Sequence, residues 1–114
     1  MNVTELIDYV YKSALFQLEE NSNKSKSRLT NGEVISCWAH DIVHEELDWQ
    51  VPENEEMLEK FVSDPQRYKT LEYLNKTRGL TREETREYFM LFGIGVDVMA
   101  VKIGRMCIEK YNVK

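Results

Sequence analysis

The chain has 114 residues, of which 42% are hydrophobic and 31% are charged, and its net charge is −5 at pH 7. This composition is typical of one globular domain over residues 1–114, and two prolines and five glycines are too few for a sandwich of many short strands. The acidic balance argues against a dedicated nucleic-acid-binding protein, because contacts between basic side chains and phosphates supply most of the affinity of such proteins.

Helical periodicity begins near the N-terminus. Apolar residues recur at intervals of three and four, which predicts a first helix over residues 4 to about 20. Residues 21–29 are almost entirely polar, and we expect them to form a flexible loop. Thr30 and Glu33 have the spacing of a capping box, which predicts that a second helix begins there and continues to about residue 47.

Two shorter helices are predicted in the middle of the chain. The third begins near Glu53, where acidic residues favour the positive end of a helix. Asp64 is suited to cap the fourth helix, and Pro65 is suited to its first position. We expect the fourth helix to end at Gly79, because glycine readily adopts the left-handed conformation that closes many helices.

The last predicted helix is the hydrophobic centre of the sequence. Thr81 and Glu84 repeat the capping-box spacing and open a helix that continues to about residue 110. From Tyr88 onward this helix is apolar on most of its circumference, as a helix surrounded by other helices must be. The sequence therefore predicts an all-α fold, a compact bundle of four to five helices packed around a long apolar C-terminal helix.

The sequence favours a cytoplasmic location. Residues 1–20 carry charges throughout and lack the unbroken apolar run of a secretory signal, so we expect Cys37 and Cys107 to be reduced. The longest apolar stretch, residues 88–108, contains Asp97, which is costly in the middle of a membrane. A buried core helix is therefore favoured over a membrane span, and no membrane partner is expected.

Both histidines of the chain fall on the second predicted helix. At about 100° per residue, one arc of this helix carries four side chains that can ligate metal, namely Cys37, His40, Asp41 and His44. Histidines four residues apart can share a divalent metal, and Cys or Asp can supply a further ligand. The arc thus predicts a divalent-metal site, and the alternative is that it is the exposed polar face of the helix.

Two known motifs are similar to this segment. His40-Asp41-x-x-His44 resembles the zincin helix motif His-Glu-x-x-His, with Asp41 in the place of the catalytic Glu. The His40-Asp41 dyad also resembles that of the HD phosphohydrolases, all-α enzymes in which the dyad binds metal. That family has a further histidine upstream, whereas no histidine precedes His40 here, and the only plausible distant carboxylate is Asp97.

A third resemblance lies in the acidic residues of the third and fourth predicted helices. Glu55-Glu56-x-x-Glu59 and Glu72-x-x-Asn75 resemble the pattern of the MazG-type nucleotide pyrophosphatases, small all-α enzymes that hold magnesium with Glu-Glu-x-x-Glu and Glu-x-x-Asp on neighbouring helices. Here Asn75 replaces the last Asp and removes a charge that the hard magnesium ion would need. The alternative is that these glutamates form a solvated first turn of a helix.

Small residues mark one face of the last helix and suggest close approach of another helix. The predicted interface comprises Arg86, Gly93, Asp97, Ala100, Gly104 and Arg105. Glycine costs a helix interior about 1 kcal/mol relative to alanine, so a contact with a neighbouring backbone is expected to compensate. The sequence leaves open whether that neighbour is the same chain, a second copy or another protein, and a kink at Gly93-Ile-Gly95 is a further alternative.

No phosphate-binding loop, activated cysteine–histidine pair or complete set of metal ligands is recognisable. We therefore expect a non-enzymatic interaction or regulatory domain that binds another protein or itself. The alternative is a metal-dependent hydrolase that acts on a nucleotide or phosphoester.

Overall fold

A computed structural model describes residues 1–23 and 28–114 of the chain. The described residues form five α-helices and no strand: α1 Val3–Asn23, α2 Asn31–Asp41, α3 Pro52–Glu59, α4 Pro65–Thr77 and α5 Arg82–Lys110. A π-helical turn, Ile42–Glu46, directly continues α2. Helices α1 to α4 all contact α5. The predicted all-α bundle around a long C-terminal helix is confirmed.

Both predicted capping boxes are present. The Glu33 amide donates to the Thr30 hydroxyl at 3.1 Å, and the Thr30 amide donates to the Glu33 carboxylate at 3.2 Å. Thr81 and Glu84 exchange the equivalent bonds at 3.2 and 3.0 Å. Arg78 also donates to Glu84, and these hydrogen bonds lower the pKa of Glu84 to about 2. The starts of α2 and α5 are therefore set locally by polar side chains.

The boundary between α3 and α4 and the end of α4 also follow the sequence prediction. Asp64 caps α4 by accepting from the Arg67 amide at 3.0 Å, and Pro65 occupies the first turn. Gly79 has a φ of 81°, and its amide donates to the Leu74 carbonyl at 3.0 Å. This left-handed glycine ends the helix in the manner predicted.

The predicted loop at residues 21–29 requires a correction, because α1 continues to Asn23. The Asn21 amide group donates to the Leu29 carbonyl at 3.0 Å and to the Asn31 side chain at 2.9 Å. These bonds link the last turn of α1 to the start of α2, so the polar residues 21–23 stabilise a helix end. Residues 24–27 lie outside the described residues.

Different parts of α5 receive different helices. Tyr68 of α4 stacks on Tyr88 near the start of α5, with ring centroids 5.2 Å apart. Helix α3 packs near Gly95, and α2 packs near Gly104. At the C-terminal end, Tyr111 stacks on Tyr11 of α1. Successive helices therefore pack against different parts of the apolar surface of α5 along its length.

The remaining fold-level expectations concern membranes and cysteines. Among the helices described, none combines the length and the apolar character that crossing a membrane requires. Cys37 and Cys107 are both free thiols, the first exposed and the second buried. Burial raises the pKa of the Cys107 thiol to about 11, because the charged thiolate is poorly solvated in the core.

Candidate functional site

The structure brings together two of the four predicted metal ligands. The rings of His40 and His44 lie one above the other, with centroids 4.1 Å apart and a tilt of 32°. Asp97 of α5 joins them, and one ligand atom from each of the three residues lies within 4.8 Å of the others. Cys37 and Asp41, also predicted as ligands, are exposed and do not belong to this group, although Oδ1 of Asp41 lies 3.9 Å from Nδ1 of His40. The convergent set is therefore His40, His44 and Asp97, which we call the His–His–Asp cluster.

His44 lies in the π-helical turn and contacts Asp97 of α5. The defining bond of this turn runs from the Leu47 amide to the Ile42 carbonyl at 3.2 Å, one residue wider than an α-helical bond. Ile42 and Val43 are buried, and Nε2 of His44 lies 2.9 Å from Oδ1 of Asp97. A prediction based on 3.6-residue periodicity places the four ligands on one arc and does not anticipate this wider turn.

Asp97 was predicted as part of the helix interface and was also the only plausible distant carboxylate for the His40-Asp41 dyad, and the structure places it beside His44. Its neighbours on α5, Val96 and Ala100, are buried in the core, whereas the Asp97 side chain is exposed beside His44. The backbone beneath the carboxylate is therefore held by packing on both sides. Two elements of the core thus present the His–His–Asp cluster to solvent.

Glu55, Glu59 and Glu72 of α3 and α4 lie near one another, but among the described residues they are not a group of ligand atoms within 4.8 Å. Burial, the contact with the Glu55 carboxyl and the nearby charge of Glu59 raise the pKa of Glu72 to about 8. Oε1 of Glu72 is buried and has no hydrogen-bond donor among the described residues. The raised pKa of Glu72 favours its neutral form beside Glu55. Glu56 and Asn75 of the same pattern are exposed.

The small residues of the predicted interface differ in how closely other helices pack against them. Ala100 and Gly104 are buried, and a Cβ placed on Gly104 would lie 3.4 Å from the Ser36 Cα and 3.6 Å from the Ala39 Cβ. Close approach at Gly104 is therefore made by α2 of the same chain. Gly93 has open space where its Cβ would lie.

Gly95 is a close contact that the predicted interface omits. A Cβ placed on Gly95 would lie 3.0 Å from the Val62 Cγ2 and 3.3 Å from the Leu58 Cδ1. The sequence signalled Gly95 only as part of a kink with Gly93. Its role in the structure is to admit α3 and the residues that follow it close to the α5 backbone.

The outer face of α5 carries an exposed apolar line with charged residues beside it. Met90, Ile94 and Val101 are 57%, 49% and 52% exposed, although all three are apolar. The predicted interface residues Arg86, Asp97 and Arg105 lie along the same face, and within the described part of the chain neither arginine forms an ion pair. We call the set of Arg86, Met90, Ile94, Asp97, Val101 and Arg105 the α5 stripe.

Comparisons of this chain with protein-family models, with curated proteins and with solved structures find no match. A helical bundle by itself does not imply a function, so function is inferred here from the two surface features, the His–His–Asp cluster and the α5 stripe.

Proposed function

We propose that the protein is a non-enzymatic interaction domain that associates with a second copy of itself through the α5 stripe. The observation that carries this proposal is the half-exposure of Met90, Ile94 and Val101 on one helix face. From Met90 to Val101 the helix axis rises by about 17 Å, which gives a continuous apolar line. Burial of such a line against another apolar surface is favourable by about 25 cal/mol per Å².

The charges beside this line favour a second copy as the partner. Asp97 and Arg105 each lie four residues from Val101, which is about 6 Å along the helix axis. In a two-fold antiparallel pair centred on Val101, Asp97 of one copy therefore lies at the height of Arg105 of the other, and two-fold symmetry repeats this pair on the other side of the axis. Oδ1 of Asp97 contacts His44, so the pair with Arg105 would use Oδ2. These two ion pairs would set the register of the helices more than their affinity.

Sedimentation velocity from low to high micromolar concentration tests this association. We expect the wild type to dimerise and the Val101→Glu variant to weaken the dimer by at least about 100-fold, because two carboxylates would meet near the symmetry axis. Circular dichroism should show that the variant keeps its helices, since Val101 is exposed in the monomer.

A matched control is Leu15→Glu on α1, because Leu15 is 47% exposed and lies away from the α5 stripe. Arg105→Asp should also weaken the dimer, and the double variant Asp97→Arg/Arg105→Asp should restore it. A wild type that remains monomeric at high micromolar concentration contradicts the proposal. Equal dissociation of the Val101 and Leu15 variants would contradict the location of the interface.

Metal-dependent hydrolysis of a nucleotide or phosphoester is the second candidate, and the His–His–Asp cluster favours it. A divalent metal held by imidazole and carboxylate groups can activate water at neutral pH. We expect such an enzyme to cleave bis(p-nitrophenyl) phosphate with added Zn²⁺ or Mn²⁺, and the His44→Ala variant to lose this activity. Cleavage no faster than that of the metal in buffer, or equal cleavage by the variant, would exclude it.

A further inference from the structure

The His–His–Asp cluster combines residues that lie far apart in the sequence. His40 lies in the last turn of α2, His44 lies in the π-helical turn, and Asp97 lies in the middle of α5. The histidine rings overlap with their centroids 4.1 Å apart, and Nε2 of His44 lies 2.9 Å from Oδ1 of Asp97. All three residues are exposed, so an ion can reach them from solvent.

We propose that this cluster is a Zn²⁺ site with His40, His44 and Asp97 as its three protein ligands. Imidazole nitrogen and carboxylate oxygen are ordinary zinc ligands, and three protein ligands with one open position are the usual composition of a non-structural zinc site. In this site the ion replaces the direct contact between His44 and Asp97. Water fills the open position, because the cluster faces solvent.

The spacing of the ligand atoms fits such an ion after small side-chain rotations. Tetrahedral Zn²⁺ with nitrogen ligands at 2.0–2.1 Å separates neighbouring ligand atoms by about 3.3 Å. The His44–Asp97 separation of 2.9 Å is already close to this value, and the remaining separations are at most 4.8 Å. Rotation of the exposed side chains closes this difference without movement of the backbone.

The surrounding fold explains why the ligands are held in place. Ile42 and Val43 anchor the π-helical turn in the core, and Val96 and Ala100 anchor α5 on either side of Asp97. Such turns are rare and occur frequently at functional sites. Here His44 lies in such a turn, beside a carboxylate of another helix.

Zinc titration of protein purified without a histidine tag tests the site. Isothermal calorimetry should show one Zn²⁺ per chain with micromolar affinity. His40→Ala, His44→Ala and Asp97→Asn should each weaken binding by at least about tenfold, which corresponds to 1.4 kcal/mol. The exposed Cys37 supplies a matched control on the same helix, and Cys37→Ser should bind zinc as the wild type does.

X-ray absorption at the zinc edge provides a second measurement that does not depend on variants. We expect only nitrogen and oxygen neighbours, without the sulfur shell near 2.3 Å that a cysteine ligand produces. Three results would overturn the proposal: no binding at high micromolar zinc, binding unchanged in Asp97→Asn, or a sulfur neighbour from Cys37. The zinc titration contains no substrate and therefore tests zinc binding alone. A protein that binds zinc but does not hydrolyse phosphoesters contradicts only the hydrolase candidate. A protein that does not bind zinc contradicts the proposed zinc site.

Discussion

Replacement of Gly104 by leucine is expected to lower the free energy of unfolding by at least about 3 kcal/mol, the upper part of the usual range for overpacking. The cause is the contact with α2, where even a Cβ on Gly104 would lie 3.4 Å from the Ser36 Cα. The additional atoms of leucine have no space unless the two helices separate. For a chain of this size the melting temperature should fall by about 12 °C or more.

Thermal unfolding followed by circular dichroism measures this effect. Gly93→Leu is the matched control, because Gly93 lies on the same helix and its Cβ position is open. The control should be neutral or more stable by up to about 0.8 kcal/mol, since leucine favours a helix more than glycine does. The measurement is made at low micromolar concentration, where mass should be the same for all three proteins. Equal destabilisation of both variants would show that the contact with α2 is not the cause. Dissociation of an oligomer by the Gly104 change alone would place the contact between chains.

Stability should depend on pH through Glu72, whose folded-state pKa is raised from 4.5 to about 8. Between these values the folded protein retains a proton that the unfolded chain releases, so stability falls as pH rises. The contribution is fully present below pH 4.5 and is lost as pH rises through 8. Glu72 keeps some contact with solvent, so we expect a loss on the order of 2 kcal/mol, less than the full shift would give.

The Glu72→Gln variant removes this dependence, because the amide stays neutral and can still donate to Glu55. Urea unfolding at pH 5 should give similar stabilities for variant and wild type, whereas at pH 9 the variant should be more stable. Glu56→Gln is the matched control, since Glu56 lies beside Glu55 but is exposed. Parallel pH profiles for wild type and Glu72→Gln would show that the carboxyl is ionised in the folded protein, contrary to the expectation.

The features that the sequence predicted well are those encoded by neighbouring residues. Thr30 and Thr81 begin helices because each meets a glutamate three positions later, and Gly79 ends one because its own backbone permits a positive φ. The periodicity of α5 likewise revealed a helix with neighbours on several sides. All these signals lie within a few residues of the structure that they specify.

The candidate site was predicted less completely, because its geometry depends on contacts between distant residues. His44 contacts Asp97, although the whole of α3 and α4 and the first half of α5 lie between them in the sequence. Cys37 shares a helical arc with the histidines but lacks a carboxylate from α5 beside it. Nor does spacing reveal that Gly104 faces α2, or that Glu72 lies half-buried beside Glu55.

The position of α5 in the chain has a consequence for synthesis. α1 and α2 contact each other and can associate as soon as both have emerged from the ribosome, whereas α3 and α4 find most of their partners on α5. A nascent chain that ends before Arg82 therefore exposes apolar side chains from four helices without the surface that covers them. Completion of the fold therefore follows translation of α5, and we expect the unfinished chain to be prone to aggregation in the interval, because its hydrophobic surface is exposed.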